Sequence, residues 1–359
     1  MLSLKIPRLK ILILLLAALT VKPALAQDTS STAIGNLKTA IGPANGREQS
    51  AMVLPDYRHI NSFANREYLF TIADTVKKPN PNRIWLVAGA HAALWGGSYL
   101  ALNKAWYADY PRQSFHFFND NSEWDQMDKA GHVWTAYQMS RLSSELWRWA
   151  GLSDHKSAWL GGISGVAYQS IIEIQDGFSS EWGFSWGDMA ANVTGAALYT
   201  GQELLWNEQR IQLKLSYWPY DYNTAELTTR RDQLFGKSIT ERILKDYNSQ
   251  TYWLSANIRS FLPDSKLPKW LNIAAGYSAD GLLGGTENKW IDKSGNPHDR
   301  TDIARIRRFY LSPDIDFTKI RTRSKFLRAT FFVLNMVKIP APTLELNSKG
   351  RFRGHFIYF

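Results

Sequence analysis

The hydrophobic pattern of the chain changes near residue 210. Before that point, long apolar stretches recur with the length and spacing of helices, at 84–102, 129–150, 157–174 and 186–206. After it, apolar and polar residues alternate in short runs, which is typical of strands, and turns rich in Asn, Gly and Pro separate several of them. The pattern predicts an α+β protein, with a four-helix bundle at 83–206 followed by an antiparallel β-rich domain at 211–359.

The second half carries six strand-like runs and one amphipathic helix. The runs are predicted at 211–218, 251–258, 271–278, 308–317, 343–346 and 352–359, and the helix at 325–337. The last run ends in Phe359 and resembles the terminal strand of bacterial outer-membrane barrel proteins, although the smallest common barrels have about eight strands. Two forms therefore remain open: a small sheet packed on the helices, or a partial or small barrel.

Small residues recur at every fourth position in three of the predicted helices. They are Gly89, Ala93, Gly97 and Ala101 in the first, Gly161 and Gly165 in the third, and Gly187, Ala191 and Gly195 in the fourth. Small side chains let a neighbouring helix approach closely. The first helix is also near the roughly 20 apolar residues that span a bilayer. We therefore expect a bundle that lies partly in a membrane.

The N-terminus has the pattern of an export signal. Basic residues precede an apolar stretch, and Ala24-Leu25-Ala26 matches the small-residue pattern of a cleavage site. Cleavage after residue 26 is expected, because the apolar stretch is short for a membrane anchor. The polar segment 27–82 ends in a Pro/Asn-rich linker and is expected to be flexible, apart from a short helix around 62–73.

The amino-acid composition excludes some classes of function and favours others. The chain has no cysteine, which excludes disulfides, thiolate catalysis and a lipid-modified N-terminal cysteine. The four basic residues of the leader contribute four of the ten net positive charges, so the rest of the chain carries +6. This charge and the 15 Trp residues favour contact with anionic lipid or envelope glycolipid, although the mean hydropathy of −0.30 also fits a soluble, aromatic-rich core. Nucleic acid is not an expected partner of an exported chain without a nucleic-acid-binding motif.

Four groups of polar residues interrupt the predicted helices. They are Asp128-Lys129-x-x-His132, Glu173-x-x-Asp176, Ser185-x-x-Asp188 and Asp188-x-x-x-Asn192. Side chains three or four positions apart share one face of a helix, so each group can direct two polar side chains into the centre of the bundle. The sequence predicts one polar or ligand-binding site, formed by Asp128, Lys129, His132, Glu173, Asp176, Asp188 and Asn192.

A divalent metal ion is one ligand that this site could hold. The nitrogen and oxygen donors that zinc prefers are present in His132, Glu173, Asp176 and Asp188. A metal at this position would allow hydrolysis of a phosphate or ester. The spacing, however, matches no established metal-binding or catalytic motif.

The same side chains could instead bind a lipid head group or lock the helices together. In the lock, Asp128 would cap the second helix, and Ser185 with Asp188 would form a cap for the fourth. Lys129 would pair with a carboxylate of the third helix, Glu173 or Asp176.

Three segments carry a resemblance to a known family. They are Asp128-Lys129-Ala130-Gly131-His132, Glu173-Ile174-Gln175-Asp176-Gly177 and residues 186–195. In these segments the chain resembles the uncharacterised bacterial DUF2279 family, which includes YfiM-like predicted periplasmic lipoproteins. Their polar pattern is also similar to that of VanZ-like membrane proteins. Residues 245–255 and 268–274 resemble a longer form found in Bacteroidetes-type bacteria. The resemblance implies an envelope location, and neither family implies a known reaction.

These observations predict an exported, periplasm-facing protein that is associated with the bacterial outer membrane. A structural or lipid-binding role is favoured over an enzymatic one. The expected partners are membrane lipid or envelope glycolipid, and other envelope proteins. The alternative is a metal-dependent envelope hydrolase that uses the buried His, Asp and Glu side chains.

Overall fold

Four long helices form the first half of the structure, a computed structural model that describes residues 78–107, 111–292 and 294–359. They are α1 Pro81–Leu102, α2 Met127–Trp149, α3 Asp154–Gly177 and α4 Trp186–Trp206. These are the helices that the apolar stretches predict. The predicted signal peptide at 1–26, the short helix around 62–73 and most of the segment 27–82 lie outside the described residues. Within the described ranges, none of the helices has the length and apolarity needed to cross a membrane.

Short polar side chains set the starts of three of these helices. Asn80, Ser153 and Ser185 each accept a hydrogen bond from a backbone N–H in the first turn of α1, α3 and α4, respectively. The predicted cap of α4 by Ser185 is therefore present. The predicted cap of α2 by Asp128 is wrong, because α2 follows the left-handed residue Gln126 and makes no side-chain cap hydrogen bond there.

Glycines allow α3 and α4 to lie against the backbone of α2. A Cβ atom added at Gly165 would lie 2.6 Å from the carbonyl oxygen of Ala136, and one at Gly195 would lie 2.1 Å from that of Val133. No real Cβ fits at such distances, so the close approach that the small residues predict for α3 is present. It extends to Gly195 of α4.

The same spacing of small residues in α1 has no such partner among the described residues. A Cβ atom added at Gly89 or Gly97 would meet no described atom within 4 Å, so no described helix approaches closely at these two positions. α1 contacts α2 through a side chain instead. His91 Nε2 lies 2.8 Å from Ser143 Oγ, and the His91 ring stacks on Trp147.

An antiparallel sheet of six strands follows the helices. Its strands are β1 Ile211–Tyr217, β2 Gln250–Asn257, β3 Leu271–Asp280, β6 Ile306–Ile315, β7 Ala341–Asn347 and β8 Phe352–Tyr358, in the spatial order β1-β2-β3-β6-β7-β8. All six coincide with the predicted runs to within a few residues. The chain is therefore an α+β protein, as predicted.

Several shorter elements connect these strands. The helices are α5 Ala225–Phe235, α6 Ile239–Lys245, α7 Ile258–Phe261 and α8 Lys325–Leu334, and a small hairpin joins β4 Lys289–Ile291 to β5 Pro297–Asp299. Only α8 is anticipated by the sequence pattern. The strands of the hairpin are too short to show a clear alternation.

The sheet curls strongly around one of its faces. β1 and β6 are separated by two strands, yet Lys214 Nζ of β1 lies 2.7 Å from Asp314 Oδ2 of β6. The free edge of β1 is also covered. Leu215 exchanges two backbone hydrogen bonds with Met336 and Lys338, in the segment that leads to β7.

The polar and apolar faces of this sheet are reversed relative to a water-soluble protein. We call the concave side the inner face; its buried polar side chains include Lys214, Ser255, Asn272, Ser312, Asp314, Thr343 and Glu345. A cluster of Trp253, Ala274 and Tyr310 is buried on the same face. We call the convex side the outer face; its exposed side chains include Leu254, Ile273, Phe309, Leu311, Leu344, Leu346 and Phe352. An antiparallel sheet with one solvated face normally turns its apolar side to the core and its polar side to water.

Strand register places the outer-face residues in continuous rows. Leu254, Ala275, Leu311 and Leu344 are successive cross-strand partners from β2 to β7. Tyr277, Phe309, Leu346 and Phe352 form a second row from β3 to β8. The exposed apolar residues are therefore contiguous across five strands.

Candidate functional site

The predicted polar residues of three helices meet at one end of the helical region. The first turns of α2 and α4 lie beside the last turns of α3, and a loop between α1 and α2 adds Asp120. We call the group that they form the polar cluster: Asp120, Asp128, Lys129, His132, Glu173, Asp188 and Asn192. Ion pairs and hydrogen bonds join its members to one another.

Lys129 is the cation at the centre of this cluster. Its Nζ atom lies 2.7 Å from Asp120 Oδ1, 2.7 Å from Asp188 Oδ1 and 3.4 Å from Asp128 Oδ2. Burial opposes the charge of Lys129, but these carboxylates raise its pKa above the ordinary value. The predicted pairing of Lys129 with Glu173 or Asp176 is wrong, because its partners come from α4 and the preceding loop.

His132 has different surroundings at its two ring nitrogens. Nδ1 lies 3.0 Å from Asn192 Oδ1 and 3.6 Å from Glu173 Oε1. Nε2 lies 3.8 Å from Asp128 Oδ1 and 3.7 Å from Asp188 Oδ1. Two oxygen acceptors therefore face Nδ1 within 3.6 Å, whereas the carboxylates that face Nε2 lie beyond hydrogen-bond distance.

Burial dominates the chemistry of Glu173 and Asp188. Glu173 is 1% exposed, and burial followed by the charge of Asp176 raises its pKa to about 9. Burial and the charge of Asp128 raise the pKa of Asp188 to about 10. Glu173 Oε2 accepts a hydrogen bond from the backbone N–H of Ser185, whereas Oε1 has no hydrogen-bond partner among the described residues.

Asp128 is stabilised as a carboxylate. Burial would raise its pKa, but His132, Lys129 and the Tyr247 hydroxyl together lower it. The Tyr247 hydroxyl donates to Asp128 Oδ1 at 2.6 Å. Tyr247 belongs to the second half of the chain, just before β2, so that half also contributes to the site.

Asp176 lies one turn beyond Glu173 and has its own partner. The Tyr107 hydroxyl donates to Asp176 Oδ1 at 2.6 Å. Burial raises the pKa of Asp176 to about 7, and this hydrogen bond opposes the rise. No hydrogen bond or ion pair joins Asp176 to the polar cluster within the described residues, so it stands apart from the other predicted site residues.

A strained turn sets the start of α2 and with it Asp128 and Lys129. Trp124, Asp125 and Gln126 have φ values of 50°, 51° and 62°, in the left-handed region that non-glycine residues rarely occupy. Hydrogen bonds from the β-rich half of the chain hold this turn. The backbone N–H of Trp124 donates to Gly285 O at 2.7 Å, and the Arg307 guanidinium donates to Asp125 O at 3.3 Å. The β-rich half therefore positions these two cluster residues.

Four contributors to this region are absent from the sequence-based prediction. They are Tyr107, Asp120, Tyr247 and Gln169, whose Nε2 atom lies 3.3 Å from His132 Nδ1 and donates to Asn192 Oδ1. Tyr107 and Asp120 lie in connections with no periodic pattern that would point to them. Tyr247 lies in the segment 245–255, whose resemblance to a longer family form is the only signal that could have drawn attention to it.

The geometry brings three potential ligand atoms together. Asp128, His132 and Asp188 each offer one, and these atoms all lie within 4.8 Å of one another. Such a group can bind a divalent cation, or it can lock α2 to α4 with Lys129 as the compensating charge.

Comparison with known proteins relates the segment that contains this site to a protein family. No curated protein and no solved structure match the chain. A family model described as predicted periplasmic lipoprotein, DUF2279, matches residues 116–201, which contain every member of the polar cluster. This description supports an exported, periplasmic protein, and the sequence contains no cysteine that could carry a lipid. The chain is therefore similar to the DUF2279 family over residues 116–201, about a quarter of its length.

Proposed function

We propose that the protein is a bacterial envelope protein that faces the periplasm and binds membrane lipid through the outer face of its six-stranded sheet. The observation that carries the proposal is the reversed polarity of the sheet. In this proposal the polar cluster has a structural role and holds α2, α3 and α4 in register.

An apolar sheet face usually packs against the core of its own protein, but in this sheet the buried face is the opposite one, the inner face. Hydrogen-bonded and charged side chains line much of the concave side, for example Lys214 with Asp314 and Arg308 with Glu345, beside a buried cluster of Trp253, Ala274 and Tyr310. The exposed apolar residues of the outer face gain no burial from the fold itself. Burial of an apolar side chain is worth about 1.5–3 kcal/mol, so a second apolar phase in contact with the outer face would stabilise the protein considerably.

Two features of the outer face favour lipid over a protein partner. A groove of about 430 Å³ between β3, β6 and β7 has mainly aliphatic and proline walls, which include Leu271, Ile273, Leu311, Pro313, Pro342 and Leu344. Such a groove suits the acyl chain of a lipid. Aromatic residues also lie directly next to strand ends in the sequence. Trp218 follows β1 and stacks on Phe359, which follows β8, with the ring centroids 5.0 Å apart; Trp270, which precedes β3, is exposed. Trp is enriched where a bilayer meets water.

The charge distribution near α8 is consistent with an anionic lipid surface. Arg321, Arg323 and Lys325 are exposed at the start of this helix, and Phe326 beside them is 74% exposed. A helix that combines basic and exposed apolar residues binds at the interface of anionic membranes. Each basic residue near such a surface contributes about 1 kcal/mol.

Vesicle flotation tests the proposal. The purified protein is mixed with vesicles of phosphatidylethanolamine and phosphatidylglycerol and is centrifuged through a density gradient. We expect the wild type to float with the vesicles. The double variant Leu311→Glu, Leu344→Glu should bind at least about tenfold more weakly, because two carboxylates would enter the apolar phase.

Ile291→Glu is the matched control. Ile291 is 73% exposed but belongs to the β4–β5 hairpin, so this variant should float like the wild type. Near-ultraviolet circular dichroism shows whether each variant keeps its fold. Equal flotation of the folded double variant and the wild type, or a wild type that stays at the bottom of the gradient, would exclude the outer face as a lipid-binding surface.

A further inference from the structure

We propose that Asp128, His132 and Asp188 form a binding site for a divalent transition-metal ion of the zinc class. The site would use His132 Nε2 and one carboxylate oxygen from each aspartate. This ligand set differs from the one that the sequence predicts, because Asp176 lies outside the cluster and Glu173 faces the opposite nitrogen of His132.

The spacing of the three atoms is close to that of a metal site. Nε2 of His132 lies 3.8 Å from Asp128 Oδ1 and 3.7 Å from Asp188 Oδ1. Ligand atoms about 2.0–2.1 Å from a tetrahedral zinc ion lie about 3.3 Å apart. All three atoms lie within 4.8 Å of one another, so side-chain movements of up to about 1.5 Å would bring them to the separation of ligands around one zinc ion.

The partners of Nδ1 orient His132 for this role. Asn192 Oδ1 lies 3.0 Å from Nδ1 and accepts a hydrogen bond in the tautomer that carries its proton there, the tautomer that a metal on Nε2 requires; Gln169 Nε2 lies 3.3 Å from the same nitrogen. The lone pair of Nε2 then points toward the two aspartates. With Asp188 as a carboxylate, three electron-pair donors face one another in this arrangement, and a cation between them would be coordinated by all three.

Glu173 provides a second observation, independent of the spacing of the three ligand atoms. Its side chain is 99% buried, and Oε1 lies 3.6 Å from His132 Nδ1 with no hydrogen-bond partner among the described residues. A histidine ligand of a metal commonly donates its second nitrogen to a carboxylate or carbonyl oxygen. Glu173 and Asn192 supply both kinds of oxygen at the position where a metal-bound His132 requires one.

Lys129 is the competing cation. It pairs with Asp188 Oδ1 and with Asp120, so it neutralises part of the cluster. Three carboxyl groups, those of Asp120, Asp128 and Asp188, nevertheless contact this single ammonium group. A bound metal would take over Asp188, while Lys129 keeps Asp120. The mixture of imidazole and carboxylate donors favours zinc and similar ions over Mg²⁺ and Ca²⁺, which prefer oxygen ligands alone.

Metal titration of the chelator-treated full-length protein tests the site. We expect isothermal titration calorimetry with Zn²⁺ to show one ion bound per chain, together with a higher melting temperature. His132→Gln and Asp188→Asn should each weaken binding at least about tenfold, and Glu173→Gln should weaken it by about tenfold through the orientation of His132.

His91→Gln is the control for replacing a buried histidine. His91 makes its contacts between α1 and α2, outside the polar cluster, so this variant should bind Zn²⁺ like the wild type. If the cluster variants do not fold, Co²⁺ added to the wild type gives a second readout, because one equivalent in a tetrahedral site produces strong visible absorption. The proposal is overturned if the wild type binds neither ion, or if folded His132→Gln binds Zn²⁺ with unchanged affinity. Either result would leave Lys129 as the cation of the cluster.

Discussion

Replacing Arg148 with methionine should lower the free energy of unfolding by about 3–5 kcal/mol. Arg148 is buried where α2, α3 and α4 meet. Its guanidinium donates to Glu145 at 2.6 Å, to Asp154 at 3.0 Å and to Glu203. Without it, Glu145 and Glu203 would remain buried without their main counter-charge. Urea denaturation followed by tryptophan fluorescence measures the change.

Arg300→Met is the control for this prediction. Arg300 pairs with Glu226 and Asp302, but both acids are exposed to solvent, so its loss should cost at most about 1 kcal/mol. Arg148→Met combined with Glu203→Met should recover part of the stability, because the removal of both charges is less costly than the removal of one. An Arg148→Met variant as stable as Arg300→Met would show that the buried network does not hold the helices together.

Replacing Lys214 with methionine should have an effect of similar size, a loss of about 3–5 kcal/mol. The side chains of Lys214 and Asp314 are both 0% exposed, and their charged atoms lie 2.7 Å apart across the inner face of the sheet. Lys214 also donates to Ile315 O at 2.6 Å. The variant would leave Asp314 with Ser255 as a neutral hydrogen-bond donor. The same denaturation assay measures the loss.

Lys289→Met is the matched control, since Lys289 and its partner Asp299 are both about half exposed. This variant should leave the free energy of unfolding nearly unchanged, because solvent screens an exposed ion pair. If Lys214→Met were equally mild, the inner face would not depend on its buried charges. The polarity of the sheet would then not support a lipid-binding outer face.

The helices and strands could be predicted because their patterns are local. Alternation marks the six strands of the main sheet, and it does so whichever side is buried. The direction of that burial could not be predicted, because Leu344 and Glu345 alternate equally well in a sheet with a polar or an apolar interior. It depends on the curl of the sheet, which brings Lys214 to Asp314 from distant parts of the chain.

The small-residue pattern shows a similar limit. Gly97 and Gly165 occupy equivalent places in repeats of the same period, yet only Gly165 meets a neighbouring backbone. The pattern states that close approach is possible, and the tertiary structure decides where it occurs. Prediction of the polar cluster is limited in the same way. The spacing of polar residues brings His132 and Asp188 into one site, but Asp120 and Tyr247 reach it from segments with no periodic signal.

The most direct test of the lipid-binding account is a label on the outer face itself. The chain has no cysteine, so a single introduced cysteine carries an environment-sensitive fluorophore without interference. Leu344→Cys places the label on the outer face, and Ile291→Cys places it on the hairpin as a control. We predict that vesicles shift the emission of the Leu344→Cys label to the blue and leave that of the Ile291→Cys label unchanged. Identical emission of the Leu344→Cys label with and without vesicles would contradict the account.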